Sequence, residues 1–168
     1  MISNATKGFT LIELLFGIGV LVTLLAIGIP SFQGLTARHQ ITNATNDLLA
    51  SLQLARTEAV KQMRDVSICP STSGSGCTGG TNWSDGWIVF RDPNADAVVD
   101  EGDVILVVAQ PLVQTLSVSG PETIRYLPSG AVDTLPTPFD IAQSSEEQER
   151  CISVTASGSA ASRYGACP

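Results

Sequence analysis

The chain has 168 residues, 43% of them hydrophobic, with 9 basic against 16 acidic side chains and a net charge of −7. From Asp65 onward four arginines stand against thirteen acids, a balance of −9, and such a field repels phosphate backbones instead of replacing their counterions. A nucleic-acid-binding head is therefore not expected. Nor is a multidomain enzyme, because about 135 residues beyond the apolar N-terminal run make one modest domain.

That run comes first. Lys7-Gly8-Phe9-Thr10-Leu11-Ile12-Glu13 opens a segment that continues apolar to Ile29, about twenty residues, enough to span a bilayer as a helix. Glu13 is its single acid, and an ionised carboxylate at membrane depth costs roughly 2.5–3.5 kcal/mol even on a lenient scale. Something must pair with it. A cut after Gly8 would put a new amine on Phe9, about one helical turn from Glu13, and a neighbouring copy's Glu13 could take the same amine during side-by-side assembly. An ordinary secretory signal fits less well, since Glu13 interrupts the apolar core and no Ala-x-Ala site closes it. The run resembles the class III leader and stem of type IV pilins and pseudopilins. The resemblance implies cleavage by prepilin peptidase between Gly8 and Phe9, N-methylation of Phe9, Glu13 as the assembly acid, Lys7 as the basic leader residue, and a helix bend at Gly28 and Pro30.

Beyond Pro30, Ile41, Thr45, Leu48, Leu52, Ala55 and Ala59 recur at three- and four-residue steps, broadened by Leu49, while Arg38, Asn43, Asp47, Gln53, Arg56 and Lys61 fill the opposite face. This predicts one long helix from Phe9 to Met63, apolar all round in its first half and amphipathic in its second. From Val66 the period changes. The β-branched-rich runs 66–69, 87–91, 104–109, 113–118, 123–127, 139–142 and 152–155 are separated by Gly, Pro, Asp or Ser clusters and predict antiparallel strands. Residues 71–82 read as a loop and 143–150, with Glu146, Glu147 and Glu149, as an exposed acidic turn. The fold class is α+β: a long N-terminal helix packed on an antiparallel β-sheet head.

Four cysteines, all in the head, fall as two local pairs, Cys69 with Cys77 and Cys151 with Cys167. An even count in an exported domain implies two disulfides; three connectivities are open, and short loop closure favours the local one. Leu54-Ala55-Arg56-Thr57-Glu58-Ala59-Val60, then Trp87-Ile88-Val89-Phe90 with Asp92, then Tyr126-Leu127-Pro128-Ser129-Gly130, then a terminal hairpin ending in Cys167, resemble the minor-pilin family of FimU, FimT and pseudopilin H. FimT-type members bind DNA through a Gly-Arg-x-Arg-like turn. Here the matching stretch is Gly158-Ser159-Ala160-Ala161-Ser162-Arg163: the glycine is present and the two arginines are replaced, which points away from a DNA receptor.

Asp92, Asn94, Asp96, Val98 (through its carbonyl), Asp100 and Asp103 follow the alternating spacing of a calcium-binding EF-hand loop. Two departures weigh against it: Ala97 stands where glycine makes the sharp turn, and Asp103 where a longer Glu ligates at both oxygens. A solvated acidic turn between two strands is the alternative. Trp83 and Trp87 are read as core. The lone His39 has no nucleophile beside it, so neither enzyme activity nor a cofactor other than possible calcium is expected.

The resemblance divides the chain into a cleaved leader (1–8), a transmembrane and assembly helix (9–29), an amphipathic half-helix (30–64) and a periplasmic head (65–168). It implies a minor pilin closest to FimU, priming a pilus or sitting at its tip. Implied partners are other minor pilins, the major pilin (or pseudopilins), prepilin peptidase and the inner membrane. Alternatives are pseudopilin H of a type II secretion system and a FimT-type DNA receptor.

Overall fold

The protein is represented by a computed structural model that describes residues 8–144 and 148–168, with 27–35 described along the backbone alone. Two compact units divide the chain, Met1–Thr36 and Ala37–Pro168, so the division falls inside the first helix. Helix α1 spans Leu11–Gln62. It starts behind Thr10, whose hydroxyl accepts the Glu13 N–H at 3.3 Å while the Glu13 carboxylate accepts the Thr10 N–H at 3.4 Å. That reciprocal pair is a capping box, satisfying two N–H groups the helix cannot satisfy itself. The expected bend at Gly28 and Pro30 lies outside the residues whose side chains are described. Among the described residues no helix is long and apolar enough to cross a membrane; the apolar run passes Ala26, the last residue before 27–35.

At the other end, Met63 takes φ 55° and the Arg64 N–H reaches back to the Ala59 carbonyl at 3.3 Å. This is the left-handed cap that glycine usually makes. A methionine there costs about 1–2 kcal/mol of backbone strain, tolerated because the chain must turn directly into the first strand.

In the second unit, α1 buries Ala37, Ile41, Ala44, Thr45, Leu48, Ser51, Leu52, Ala55 and Ala59. Thr45 and Ser51 turn their hydroxyls onto the carbonyls of Ile41 and Asp47, so both are buried without an unpaired donor. Against this stripe lie two antiparallel four-stranded sheets. The first has the order β3-β2-β1-β5, built from β1 Val66–Pro70, β2 Trp87–Arg91, β3 Val104–Ala109 and β5 Ile124–Tyr126. The second has the order β4-β6-β7-β8, built from β4 Leu116–Ser119, β6 Phe139–Gln143, β7 Gln148–Val154 and β8 Ala160–Tyr164. One core joins all three layers: Leu48, Leu52 and Ala55 from the helix, Val66, Ile68, Trp87 and Val89 from the first sheet, Phe139, Ile141 and Ile152 from the second.

Strand alternation explains a second, smaller cluster. Val66 and Ile68 face the helix, whereas Cys69, Ile88 and Phe90 face away and are covered by Cys77, Val99 and Ile105. Both faces of β1 and β2 are therefore buried, and their sequences read as continuous apolar runs.

The antiparallel strands of the head are shared between two sheets. Two expectations change. The run 113–118 is strand only from Leu116, since the Leu116 N–H closes a turn onto the Val113 carbonyl at 2.9 Å. Within the acidic stretch 143–150, Gln143, Gln148, Glu149 and Arg150 are strand: Gln143 pairs with Gln148, Ala142 with Glu149 and Ile141 with Arg150. Glu149 is exposed and Arg150 half-buried, so charge on both faces hid the period-2 signal, and Glu146 and Glu147 lie outside the described residues.

Leu52 is 0% exposed. Leu52→Ala is expected to cost about 2–5 kcal/mol in urea unfolding of the detergent-solubilised chain. A loss below about 1 kcal/mol would mean the site collapses freely and the stripe is not the core it looks.

Candidate functional site

The first candidate site is the start of the stem. Phe9 and Glu13 are exposed, and Phe9 leads a surface on which Leu11, Ile12, Leu14, Leu15, Phe16, Ile18, Val20, Leu21, Val22, Leu24 and Leu25 are all exposed. A contiguous apolar surface of this length is not stable in water and marks a lipid or protein contact. Among the described residues nothing lies within 4 Å of where a Cβ on Gly8 would be. Lys7 lies outside the described residues. The capping role of Glu13 escaped the sequence reading, although Thr10-x-x-Glu13 is the written signature of a capping box.

The second is a clasp on which the separated head motifs converge. The Arg56 guanidinium Nε donates to the Gly130 carbonyl at 3.0 Å, tying the helix to the turn 127–130, which the Gly130 N–H closes onto Leu127 at 2.8 Å. Gly158 enters from the β7–β8 turn with φ +79°, and a Cβ there would lie 2.0 Å from the Gly130 carbonyl oxygen. Only glycine fits that approach. The Gly158 position, compared above with a DNA-binding turn, thus has a purely structural explanation in this chain. Arg56, placed on the solvated face from its spacing, is half-buried in the clasp.

The third is the acidic loop. Asp92 is buried, and its carboxylate accepts from the Ser67 hydroxyl at 2.7 Å and from the N–H groups of Ala97 and Asp96 at 3.0 and 3.2 Å. Asn94 donates to both Asp96 and Asp100 at 3.0 Å, Asp96 accepts the Val98 N–H at 2.8 Å, and Asp103 accepts the Asp100 N–H at 3.0 Å. Arg125 donates to the Ala95 carbonyl and pairs with Asp133 and, at 3.8 Å, with Asp65. Asp92, Asn94, Asp96, Asp100 and Asp103, the residues of the calcium reading together with the Val98 carbonyl, are thus bonded to the loop's own backbone and side chains and to Ser67. Among the described residues no three acidic, His or Cys side chains are gathered for a metal ion. Ala97, and Ala95 before it, take φ 61° without a glycine. Desolvation, reinforced by Asp100, Asp92 and Asp96, pushes the Asp103 carboxyl up, against the opposing hydrogen bond from the Asp100 backbone. Burial likewise raises Asp65, against the pull of Arg125.

Disulfides Cys69–Cys77 and Cys151–Cys167 close the two local loops. The first pins the Ser/Gly-rich loop over Ile88 and Phe90; the second ties the C-terminus to β7. Trp83 and Trp87 are buried, donating from their indole N–H groups to the Pro121 carbonyl at 2.8 Å and the Ser51 hydroxyl at 2.9 Å. Trp83 also meets Phe139 edge-on at 4.9 Å, so neither indole is a ligand platform.

Tyr126 sits under the clasp, 0% exposed, and its hydroxyl has no hydrogen-bond partner among the described residues. Burial pushes the phenol up from 10.0 to about 12, with Arg56 opposing. The folded state thus holds the proton more tightly than the unfolded chain. The phenol's contribution is intact below pH 10, falls as pH rises from 10 and is gone above about 12. Tyr126→Phe is expected to gain about 1 kcal/mol at neutral pH by removing an unpaired buried hydroxyl, and to flatten the alkaline loss of stability. A loss of more than about 1 kcal/mol at pH 7 would show that the hydroxyl is bonded after all.

Comparison with known proteins follows the same outline. A fimbrial protein of Pseudomonas aeruginosa is 40% identical over 63 residues, 38% of this chain and 40% of that protein. The pilin-like protein PilA1 of Thermus thermophilus is 30% identical over 97 residues, 58% of this chain and 55% of that protein. The matches thus span about half or less of these relatives. The crystal structure of the type IV minor pilin FimU of Pseudomonas aeruginosa superimposes with a TM-score of 0.56 at 24% identity, covering 80% of this chain and 92% of that one, which establishes the shared fold: a long helix on an antiparallel β head. The family model for the type II transport protein GspH matches residues 44–158, from the amphipathic half of α1 through the Gly158 turn, and by that match over more than half its length the chain belongs to the GspH family.

Proposed function

We propose that this chain is a minor type IV pilin, a structural subunit that primes pilus assembly or sits at the pilus tip. The observation that carries this reading is the pairing of a self-contained head with a stem whose large apolar side chains from Phe9 to Leu25 are all exposed. The head needs nothing more to be stable, whereas the stem needs a bilayer first and other helices later. The names of the relatives support the same role: a fimbrial protein, a pilin-like protein and a minor pilin.

In this mechanism prepilin peptidase cuts between Gly8 and Phe9, and Phe9 is N-methylated. The chain waits in the inner membrane, single-pass, with its head in the periplasm. Glu13 then draws in a neighbouring subunit's charged N-terminus, or holds its own. Each charge neutralises the other where neither would be tolerated alone in lipid. Before the cut, the same carboxylate caps the helix with Thr10. The role rests on packing and charge and calls on no catalytic group.

A second reading, pseudopilin H of a type II secretion system, is favoured by the family description itself. It uses the same stem chemistry for a different filament. A DNA-receptor role has the least support, given the −9 balance from Asp65 onward and the structural use of Gly158.

The test is a strain lacking the gene, with major pilin quantified in the sheared surface fraction. Pilin is expected to fall and to be restored by the intact gene. Glu13→Gln keeps the capping box, because Gln serves at that position, but removes the charge; it is expected to restore as poorly as Glu13→Ala, at least about tenfold below the intact gene, the effect of a loss of 1.4 kcal/mol or more. Thr10→Ala removes the cap and is expected to restore fully. Equal failure of Thr10→Ala would reduce Glu13 to a helix cap. Unchanged pilin in the deletion strain, with secreted enzymes held in the periplasm, would favour the secretion reading.

A further inference from the structure

A groove of the head, about 470 Å³, lies between the start of the amphipathic half-helix and the β7–β8 edge, lined by Arg38, Ile41, Thr42, Arg150 and Tyr164. Its charge is unusual for this molecule. Of the four arginines after Asp65, Arg91 donates to the Gln62 side chain, Arg125 binds Asp65, Asp133 and the Ala95 carbonyl, and Arg163 reaches the Ala166 carbonyl. Arg150 is held by two neutral groups. Its guanidinium lies 3.9 Å over the Tyr164 ring, and one terminal nitrogen donates to the Thr42 hydroxyl at 3.4 Å. Among the described residues neither Arg150 nor Arg38 has a carboxylate within ion-pair distance. Glu149 also borders the groove, but as the neighbour of Arg150 on the strand its side chain leaves on the opposite face. Arg150 shares the face of Ile152, toward the helix.

A guanidinium stacked on an aromatic ring has already lost most of its rotamer freedom, and among the described residues the Thr42 hydroxyl is the acceptor that its donor fork meets. That is the arrangement suited to a bidentate carboxylate, because the ordering cost is met before binding. Arg38, on the helix side of the same groove, adds a second positive charge.

We propose that this groove receives an Asp or Glu side chain of a neighbouring, different subunit of the filament, with Arg150 as the fork and Arg38 as the supporting charge. The proposal rests on the filament reading above. A second copy of this chain is the poorer occupant, since two heads with a −9 balance repel each other. The same charge sets the head against anionic lipid headgroups. A neighbour of smaller net charge with a local acid meets no such barrier, and each well-placed pair of this kind strengthens association about tenfold or more.

The test uses the full chain in cells that assemble the filament, with the photo-crosslinker p-benzoylphenylalanine in place of Tyr164, which keeps an aromatic ring under Arg150. Irradiation followed by peptide mass spectrometry is expected to give an adduct with a different filament subunit, in a stretch containing Asp or Glu. Combining Arg38→Glu with Arg150→Glu is expected to lower adduct yield about tenfold or more, and reversing the partner's acid to Arg is expected to restore it. Arg150→Gln, checked for protease resistance equal to the parent chain, gives the same reading if the double reversal fails to fold. An adduct with lipid or with a second copy, or a yield indifferent to charge, would overturn the proposal. The unsubstituted chain is followed in parallel in the sheared filament fraction. If it is absent there, the filament reading fails; if it is present while the crosslinker finds no acidic neighbour, only the docking proposal fails.

Discussion

The head depends on one stripe of one helix. Ile41, Leu48, Leu52, Ala55 and Ala59 are 2% exposed or less, and they meet side chains from both sheets in a single core. Neither sheet could exclude water from its inner face without that stripe. The polar links follow from the seat it provides: Ser51 accepts from Trp87, Arg56 reaches Gly130, and Gln62 accepts from Arg91. Small residues at Ala44, Ala55 and Ala59 let the helix backbone approach the strands closely, which explains why the stripe mixes alanines with leucines and does not repeat leucine throughout.

The two parts of the chain present opposite problems. In the head, the aromatic and aliphatic core is buried, both disulfides are closed, and the acidic loop turns Asp92, Asp96 and Asp103 onto its own N–H groups. In the stem, every large apolar group described is in the open. Such a division makes sense if the head is a finished object and the stem is completed only by lipid or by other helices. The charged end of the stem obeys the same logic: Glu13 has a use as a cap in the uncut chain, and the amine that cleavage would expose is a stronger partner for it.

Much of this was legible in the residues. The spacing from Ile41 to Ala59 marked the buried face of α1, and β-branched runs placed β1, β2 and β3 at nearly their observed bounds; β2, buried on both faces, announces itself as an apolar run up to Arg91. β7 was harder: Gln148, Glu149 and Arg150 read as a turn, since charge on a solvated strand face cannot be told locally from charge in a loop. The loop 92–103 was ambiguous for a different reason. Alternating oxygen ligands suit a wrapped cation, but alternating Asp and Asn also suit a turn that satisfies its own backbone. The clasp was invisible as such. Leu54–Val60, Tyr126–Gly130 and Gly158 are far apart in sequence, and nothing local says that a Cβ at Gly158 would strike the Gly130 carbonyl.

The central claim is that this chain is made as a membrane-stored precursor and ends in a filament. Mass spectrometry of the chain recovered from sheared surface filaments tests it most directly. The expected polypeptide begins at Phe9 with a methylated amine and carries both disulfides intact. A chain that keeps the residues before Phe9, or one recovered only as a soluble fragment lacking the stem, would contradict this.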